Sequence, residues 1–175
     1  MTMTDPSLLQ AIVLFAAATA LLFAAAHDVA VRTVPNMVCL VIAAAGLARS
    51  AWDGWLAPAL FGAVLVFAAG WYCWRRGWFG GGDVKLLTAC VLLVPPGAVP
   101  TLILCTALAG GAMALCYVSL ARVLPRRPSP RPEGLPRRVW RAERWRIRRG
   151  LSLPYSCAIA AGVLLTLVSP IHFGP

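Results

Sequence analysis

The sequence predicts an all-α, polytopic membrane protein with about six transmembrane helices, and three observations carry that expectation. Of the 175 residues, 60% are hydrophobic and only 13% charged, where a soluble domain carries about 45–50% apolar and about 25% charged residues. The apolar residues fall in long runs, several of them near the ~20 residues needed to cross a bilayer. Polar punctuation between the runs is short, except for one Arg- and Pro-rich stretch at 121–150. Helices rather than strands follow, because an open sheet edge cannot be satisfied in lipid.

The first expected span covers residues 8–26. Ala24-Ala25-Ala26 resembles a small-residue cleavage site, but the residues before the run include Asp5 and no Lys or Arg. The run is also longer than the apolar part of a signal peptide, so a retained helix is expected. A polar connection at 27–35 leads to a short second span, 36–48, closed by Arg49, Ser50, Asp53 and Gly54. The third, 55–74, ends at Arg75-Arg76-Gly77. The fourth begins after Asp83 and runs to residue 94, where Pro95-Pro96 breaks it. The fifth covers 98–120 and the sixth 151–169. The second and fourth are short and are expected to extend into polar flanks or lie in thinned bilayer. Residues 1–175 read as a single domain with a cytoplasmic Arg/Pro-rich loop at 121–150. Small residues, as at Ala109-Gly110-Gly111-Ala112, allow close helix packing.

The net charge is +10. On a soluble protein this would suggest a nucleic-acid partner. Here the basic residues sit between apolar runs, so membrane topology and anionic lipid account for them and no nucleic acid is expected. With the amino terminus outside, the connections 27–35, 75–85 and 121–150 are cytoplasmic. They hold every one of the 16 Lys and Arg residues except Arg49. The opposite orientation would reverse the positive-inside tendency. Asp28 and Asp83 then lie at one membrane face, in connections separated by two spans, and can meet.

The six cysteines form no C-x-x-C pair and sit in or beside apolar runs, where small buried residues are the better reading. The two histidines, His27 and His172, are near opposite ends. No metal site and no cofactor are expected.

Acidic residues are few: Asp5, Asp28, Asp53, Asp83, Glu133 and Glu143. Asp28 and Asp83 abut apolar spans on the cytoplasmic side, and ionisable groups at membrane depth tend to mark function. Two carboxylates brought together cannot both ionise easily, so the pair shares a proton. One can then act as base toward water while the protonated partner polarises a scissile carbonyl. Each aspartate also has a plain structural alternative. Asp28 would mark the end of the first helix, and Asp83 would be the N-cap of the fourth. Gly80, Gly81 and Gly82, just before Asp83, allow unusual backbone angles and the close approach of another chain, as an extended peptide substrate needs. They would equally make a flexible turn. A phosphate loop is not indicated, because G-x-x-x-x-G-K-[ST] is absent. Lys85 reads either as an electrostatic neighbour of the pair or as an interfacial anchor.

Gly80-Gly81-Gly82-Asp83 resembles the G-x-G-D motif of intramembrane aspartic peptidases, shared by presenilin-like enzymes and type IV prepilin peptidases. The stretch from His27 through Pro35-Asn36 resembles the other prepilin peptidase signature, an aspartate followed by Pro-Asn at the next helix start. Gly82-Asp83-Val84-Lys85 and Leu153-Pro154-Tyr155, which opens the last span, are also similar to that family, so the resemblance runs from the first span to the sixth. It implies a catalytic dyad of Asp28 and Asp83, an active-site loop of Gly80, Gly81, Gly82 and Lys85, and supporting roles for Pro35 and Asn36. The implied reaction is removal of the leader from prepilin or pseudopilin precursors, at the cytoplasmic face of the bacterial inner membrane. The larger bifunctional members carry paired C-x-x-C motifs before the first aspartate and also N-methylate the new terminus. This chain lacks those motifs and resembles the compact members associated with tight-adherence (Flp) pili, so methylation is not expected.

Partners implied are the precursor, membrane lipids and other pilus-assembly proteins. In the basic segment, residues 126–132 read as extended. Residues 139–149 could form a basic helix whose Trp140, Trp145 and Ile147 dip into the interface. That segment is either a topology determinant touching anionic lipid or a docking surface. Two other classes remain open: a small transporter using Asp28 and Asp83 as ion or proton sites, and a noncatalytic assembly subunit. A transporter more usually places charges near the midplane and shows repeat symmetry, and an assembly subunit leaves the 80–83 pattern unexplained.

Overall fold

The computed structural model describes residues 6–123, 134–148 and 153–168, and every regular element among them is helical. In chain order these are α1 (Pro6–Val31), α2 (Asn36–Trp52), α3 (Leu56–Arg75), α4 (Gly81–Val91), a 3-10 turn (Pro96–Ala98), α5 (Val99–Val123), α6 (Leu135–Arg148) and α7 (Tyr155–Val168). The expected extended stretch at 126–132 lies outside the described residues.

The helix ends have local causes. Asp53-Gly54 and Arg76-Gly77 close α2 and α3 in the same way. Each glycine takes a positive φ (77° and 74°), open to glycine without steric cost. The amides that follow, of Trp55 and Trp78, bond back to Ser50 O and Cys73 O at 3.0 Å. This is the Schellman pattern, which satisfies carbonyls that the helix leaves orphaned. Pro35, with ψ 132°, holds the chain extended before α2, and Pro95-Pro96 follows the end of α4.

Three helices are long and apolar enough to cross a membrane: Leu8–Val31, Leu56–Arg75 and Pro96–Val123. Within their apolar windows only 17%, 11% and 22% of residues are buried. Phe15, Phe23, Phe61, Leu65, Leu108 and Leu115 instead face outward. An apolar surface of this extent suits hydrocarbon rather than water. The other three expected spans correspond to shorter helices: α2 and α7, of 17 and 14 residues, and α4, of only 11.

Short as it is, α4 lies at the centre. Val84, Leu86, Ala89, Cys90 and Val91 are all buried, and the helix packs against α3, α2 and α7. Glycines on its neighbours make room. A Cβ on Gly46 of α2 would lie 2.6 Å from Leu92 Cβ, and one on Gly70 of α3 would lie 2.8 Å from Val84 Cγ1. The tightest joint is between α5 and α7, where a Cβ on Gly162 would meet Thr106 Oγ1 at 2.2 Å. In the small-residue run at 109–112, Gly110 packs on the Tyr155 ring, while a Cβ on Gly111 would meet nothing. Of the cysteines, Cys39 and Cys90 are buried as expected, but Cys116 is exposed.

One end of the bundle gathers the ends of α1 and α3 and the starts of α2, α4 and α7. At the other end, Arg49 is neutralised. Its guanidinium donates to Leu93 O at 3.0 Å and to Asp53 at 3.5 Å, and Gln10 also donates to Asp53.

Candidate active site

Asp28 lies in the last turn of α1 rather than in a connecting loop, because the helix continues to Val31, five residues past its expected end. Arg32 then stops it. Its φ is +63°, uncommon for a non-glycine residue, and its amide closes on Asp28 O at 2.8 Å. The connection to α2 is pinned by His27, whose Nδ1–H donates to Thr33 O at 2.7 Å. Asp28 is 7% exposed.

Asp83 stands in the first turn of α4, which begins at Gly81, three residues ahead of the expected start. Gly80, not Asp83, is the N-cap, so the capping alternative for this aspartate falls. The three glycines also act differently from expectation. Gly80 has φ −74°, and Gly81 and Gly82 are helical, so unusual backbone angles are not what they supply. They supply space. A Cβ on Gly80 would lie 2.7 Å from Asp83 Oδ2, one on Gly81 3.3 Å from Trp74 Nε1, and one on Gly82 3.2 Å from Val34 Cβ. Without side chains there, the carboxylate folds back over the start of its helix and α4 abuts the 32–35 connection.

The two carboxylates meet at Ser156, in the first turn of α7. Its backbone N–H donates to Asp28 Oδ2 at 3.3 Å, and its hydroxyl donates to Asp83 Oδ1 at 3.1 Å. Ser156 is completely buried. Its N–H is one of the donors that a helix start leaves without an intrahelical partner, so Asp28 also receives the positive end of the α7 dipole. Sequence reasoning missed this serine. Its one signal was adjacency to Leu153-Pro154-Tyr155, which marks a helix start. Asp83 lies ahead of the apolar part of α4 and outside the long apolar helices. Burial, and after it the charge of Asp28, push its carboxyl above the ordinary carboxylate range, and the Ser156 hydroxyl opposes the shift.

Both aspartates line a cleft of about 590 Å³, with Gly80, Gly81, Gly82, Lys85 and Asn36 around it and Phe67, Trp71 and Trp74 of α3 as an aromatic wall. Lys85 Nζ donates to Asn36 Oδ1 at 3.1 Å, which ties α4 to α2 across the cleft. Pro35 acts from behind, accepting from the amides of Val38 and Cys39 at the start of α2. A second, apolar cavity of about 360 Å³ adjoins the first at Asn36, Phe67 and Lys85 and runs between α2, α3 and α4. Among the described residues no group of His, Cys, Asp and Glu could hold a metal ion. One buried and one half-buried carboxylate, held by one residue in an open cleft, are equipped to share a proton and activate water.

A model of the type IV leader peptidase family matches residues 15–115. The chain belongs to that family. The matched region carries both aspartates, Pro35-Asn36 and the glycines at 80–82. The resemblance expected through the last span exceeds it, since α6 and α7 lie beyond residue 115. No curated protein and no solved structure matched the chain.

In this member of the family the basic segment holds more than expected. The helix α6 is strongly amphipathic, and Trp140 and Trp145 are exposed. Ile147, expected to dip into the interface with them, is buried against the protein instead. Beside it Glu143 is 5% exposed, in a cluster with Arg32, Arg146 and Tyr117. Burial alone would raise the Glu143 carboxyl. Hydrogen bonds from Tyr117 and Arg32, with the arginine charge, outweigh it and hold the group below its ordinary value. Sequence reasoning named Glu143 only as one of six acidic residues; a lone glutamate among arginines on one helix was the available signal.

Proposed function

We propose that this member of the leader peptidase family is an aspartic endopeptidase with Asp28 and Asp83 as its catalytic pair. Its substrates are prepilin or pseudopilin precursors, cut at the cytoplasmic face of the bacterial inner membrane. The carrying observation is Ser156, whose N–H and hydroxyl each hold one of the carboxylates. One carboxylate takes a proton from water as the water oxygen attacks the scissile carbonyl carbon. The protonated partner donates to the carbonyl oxygen, and the C–N bond breaks as the leaving amine takes a proton. The pair acts as a unit, so neither residue has a fixed role.

The rest of the reading follows the charges and the cleft. A single six-span domain with its amino terminus outside puts the cleft and nearly all the basic residues in the cytoplasm. The aromatic wall of α3 and the apolar cavity beyond it suit an extended leader followed by an apolar segment. Gly80, Gly81 and Gly82 keep the approach to Asp83 clear, and Lys85 with Asn36 braces the cleft. Peptidase activity without N-methylation fits the lack of C-x-x-C pairs.

The test co-expresses the chain with a candidate precursor from the same genome and follows leader removal by gel shift. Asp28→Asn and Asp83→Asn, at membrane levels equal to wild type, are each expected to abolish processing. Full processing by either variant would overturn the aspartic mechanism and return the transporter and assembly readings.

A further inference from the structure

The end of α1 presents a physical problem. A helix leaves its last carbonyls without intrahelical donors, and here those carbonyls belong to the residues around Asp28. Asp28 O is satisfied by the Arg32 amide at 2.8 Å. The next two, Val29 O and Ala30 O, accept from the guanidinium of Arg146, at 2.9 and 3.4 Å. A cation placed there also meets the negative end of the helix dipole. Arg146 belongs to α6, far away in sequence, and is itself held by Glu143 Oε2 at 3.2 Å.

The other Glu143 oxygen accepts from Arg32, the residue that ends α1, and from the Tyr117 hydroxyl of α5. A buried carboxylate is tolerated only when paired and hydrogen-bonded, and this one has three donors from three parts of the chain. The backbone carrying Asp28 is thus gripped on one side by α6, while Ser156 of α7 holds its carboxylate on the other.

We propose that Glu143 and Arg146 are positioning residues for Asp28: α6 clamps the carbonyl end of α1 and so fixes where the Asp28 carboxylate sits relative to Asp83. The proposal rests on the reading of Asp28 as a catalytic carboxylate. It gives the Arg-rich segment a part in the site beyond setting topology. Neither residue lines the substrate cleft, so their loss acts on turnover and not on substrate capture.

The experiment uses the full chain in detergent with a purified precursor, and compares wild type, Glu143→Gln, Arg146→Ala, Arg146→Lys and, as a control, Arg138→Ala on the same helix. Arg146→Ala and Glu143→Gln are expected to lower kcat by about tenfold to a hundredfold, the scale of a small misplacement of a reacting group, with KM little changed. Arg146→Lys, which keeps a donor, recovers part of the loss, and Arg138→Ala behaves as wild type. Hydrogen exchange is read on the same samples. In the two damaging variants it accelerates over residues 27–34 and not in α3.

Wild-type kcat in both Glu143→Gln and Arg146→Ala overturns the proposal. So does a loss of activity that merely follows a uniform rise in exchange, which would mark a structural role. Asp28→Asn is measured in parallel. If it still processes the precursor, the dyad reading fails. Exchange over 27–34 then still reports whether α6 grips α1, so the two failures are told apart.

Discussion

Replacing Ser156 with alanine removes one atom from the centre of the site and leaves the rest in place. The backbone N–H still donates to Asp28 Oδ2, while the hydroxyl at 3.1 Å from Asp83 Oδ1 is gone. A hydrogen bond to a charged group contributes about 1.5–3 kcal/mol. Because Ser156 is fully buried, solvent does not readily replace it. The hydroxyl donates to Asp83 and so favours its ionised form, opposing burial and the Asp28 charge. Without it Asp83 keeps its proton to higher pH. At ~1.36 kcal/mol per pH unit, the change is about one to two units. A pair that works with one shared proton loses activity on the alkaline side when that proton leaves, so the alkaline limb of kcat/KM should move up by that amount. The assay is leader removal by purified wild type and Ser156→Ala across mildly acidic to mildly alkaline pH. Ser156→Thr, which keeps the hydroxyl, serves as the control. An alkaline limb that stays put, or moves down, would refute the link between Ser156 and the pair.

Two further outcomes are expected. Gly162→Ala drives a methyl group against Thr106 Oγ1 and the Thr106 backbone N, 2.2 and 2.8 Å away; overpacking of this kind costs about 1–3 kcal/mol. The thermal midpoint should fall and processing with it, because α7 carries Ser156, whereas Gly111→Ala, with nothing within 4 Å, should leave the midpoint unchanged or raise it. Glu143 faces Tyr117, Arg32 and Arg146, and its folded value is depressed from 4.5. The stability it contributes is therefore present above pH 4.5 and lost as pH falls through the lower folded value. A fluorescence transition from Trp140 and Trp145 below pH 4.5, missing in Glu143→Gln, is the expected signature, and an identical transition in both would refute it.

The sequence made helices legible because long apolar runs have few alternatives in lipid, and its Pro and Gly punctuation located most connections. It also marked both aspartates, through scarcity of acid and adjacency to apolar runs. Helix ends near the site were less legible. α1 outlasts its apolar run because Arg146 and Arg32 satisfy its final carbonyls, and Arg146 is distant in sequence. The glycines at 80–82 were visible as a cluster, but whether they supply backbone freedom or clearance depends on Val34 and Trp74 lying against them, which only packing decides. Ser156 and Glu143 were not distinguishable from ordinary polar residues, since their meaning comes entirely from what other helices bring to them.

The boundary of the family match falls in an informative place. Both aspartates lie within the shared region, on α1 and α4. Yet α4 packs chiefly on α3 and α2, and α1 on α2 and α7. α2, inside the match, packs on both, but the helix that hydrogen-bonds both carboxylates is α7, beyond the match, and it meets them at its own amino terminus. A helix start is well suited to holding two acids, because it offers free backbone donors along a fixed direction and one adjacent hydroxyl extends the reach to a second acceptor. The acids are thus identified by their own motifs, while their separation is set by a donor pair whose only local signal is a proline-opened helix. Variation in the segment after residue 115 would then change how the two carboxylates are held without altering either aspartate motif.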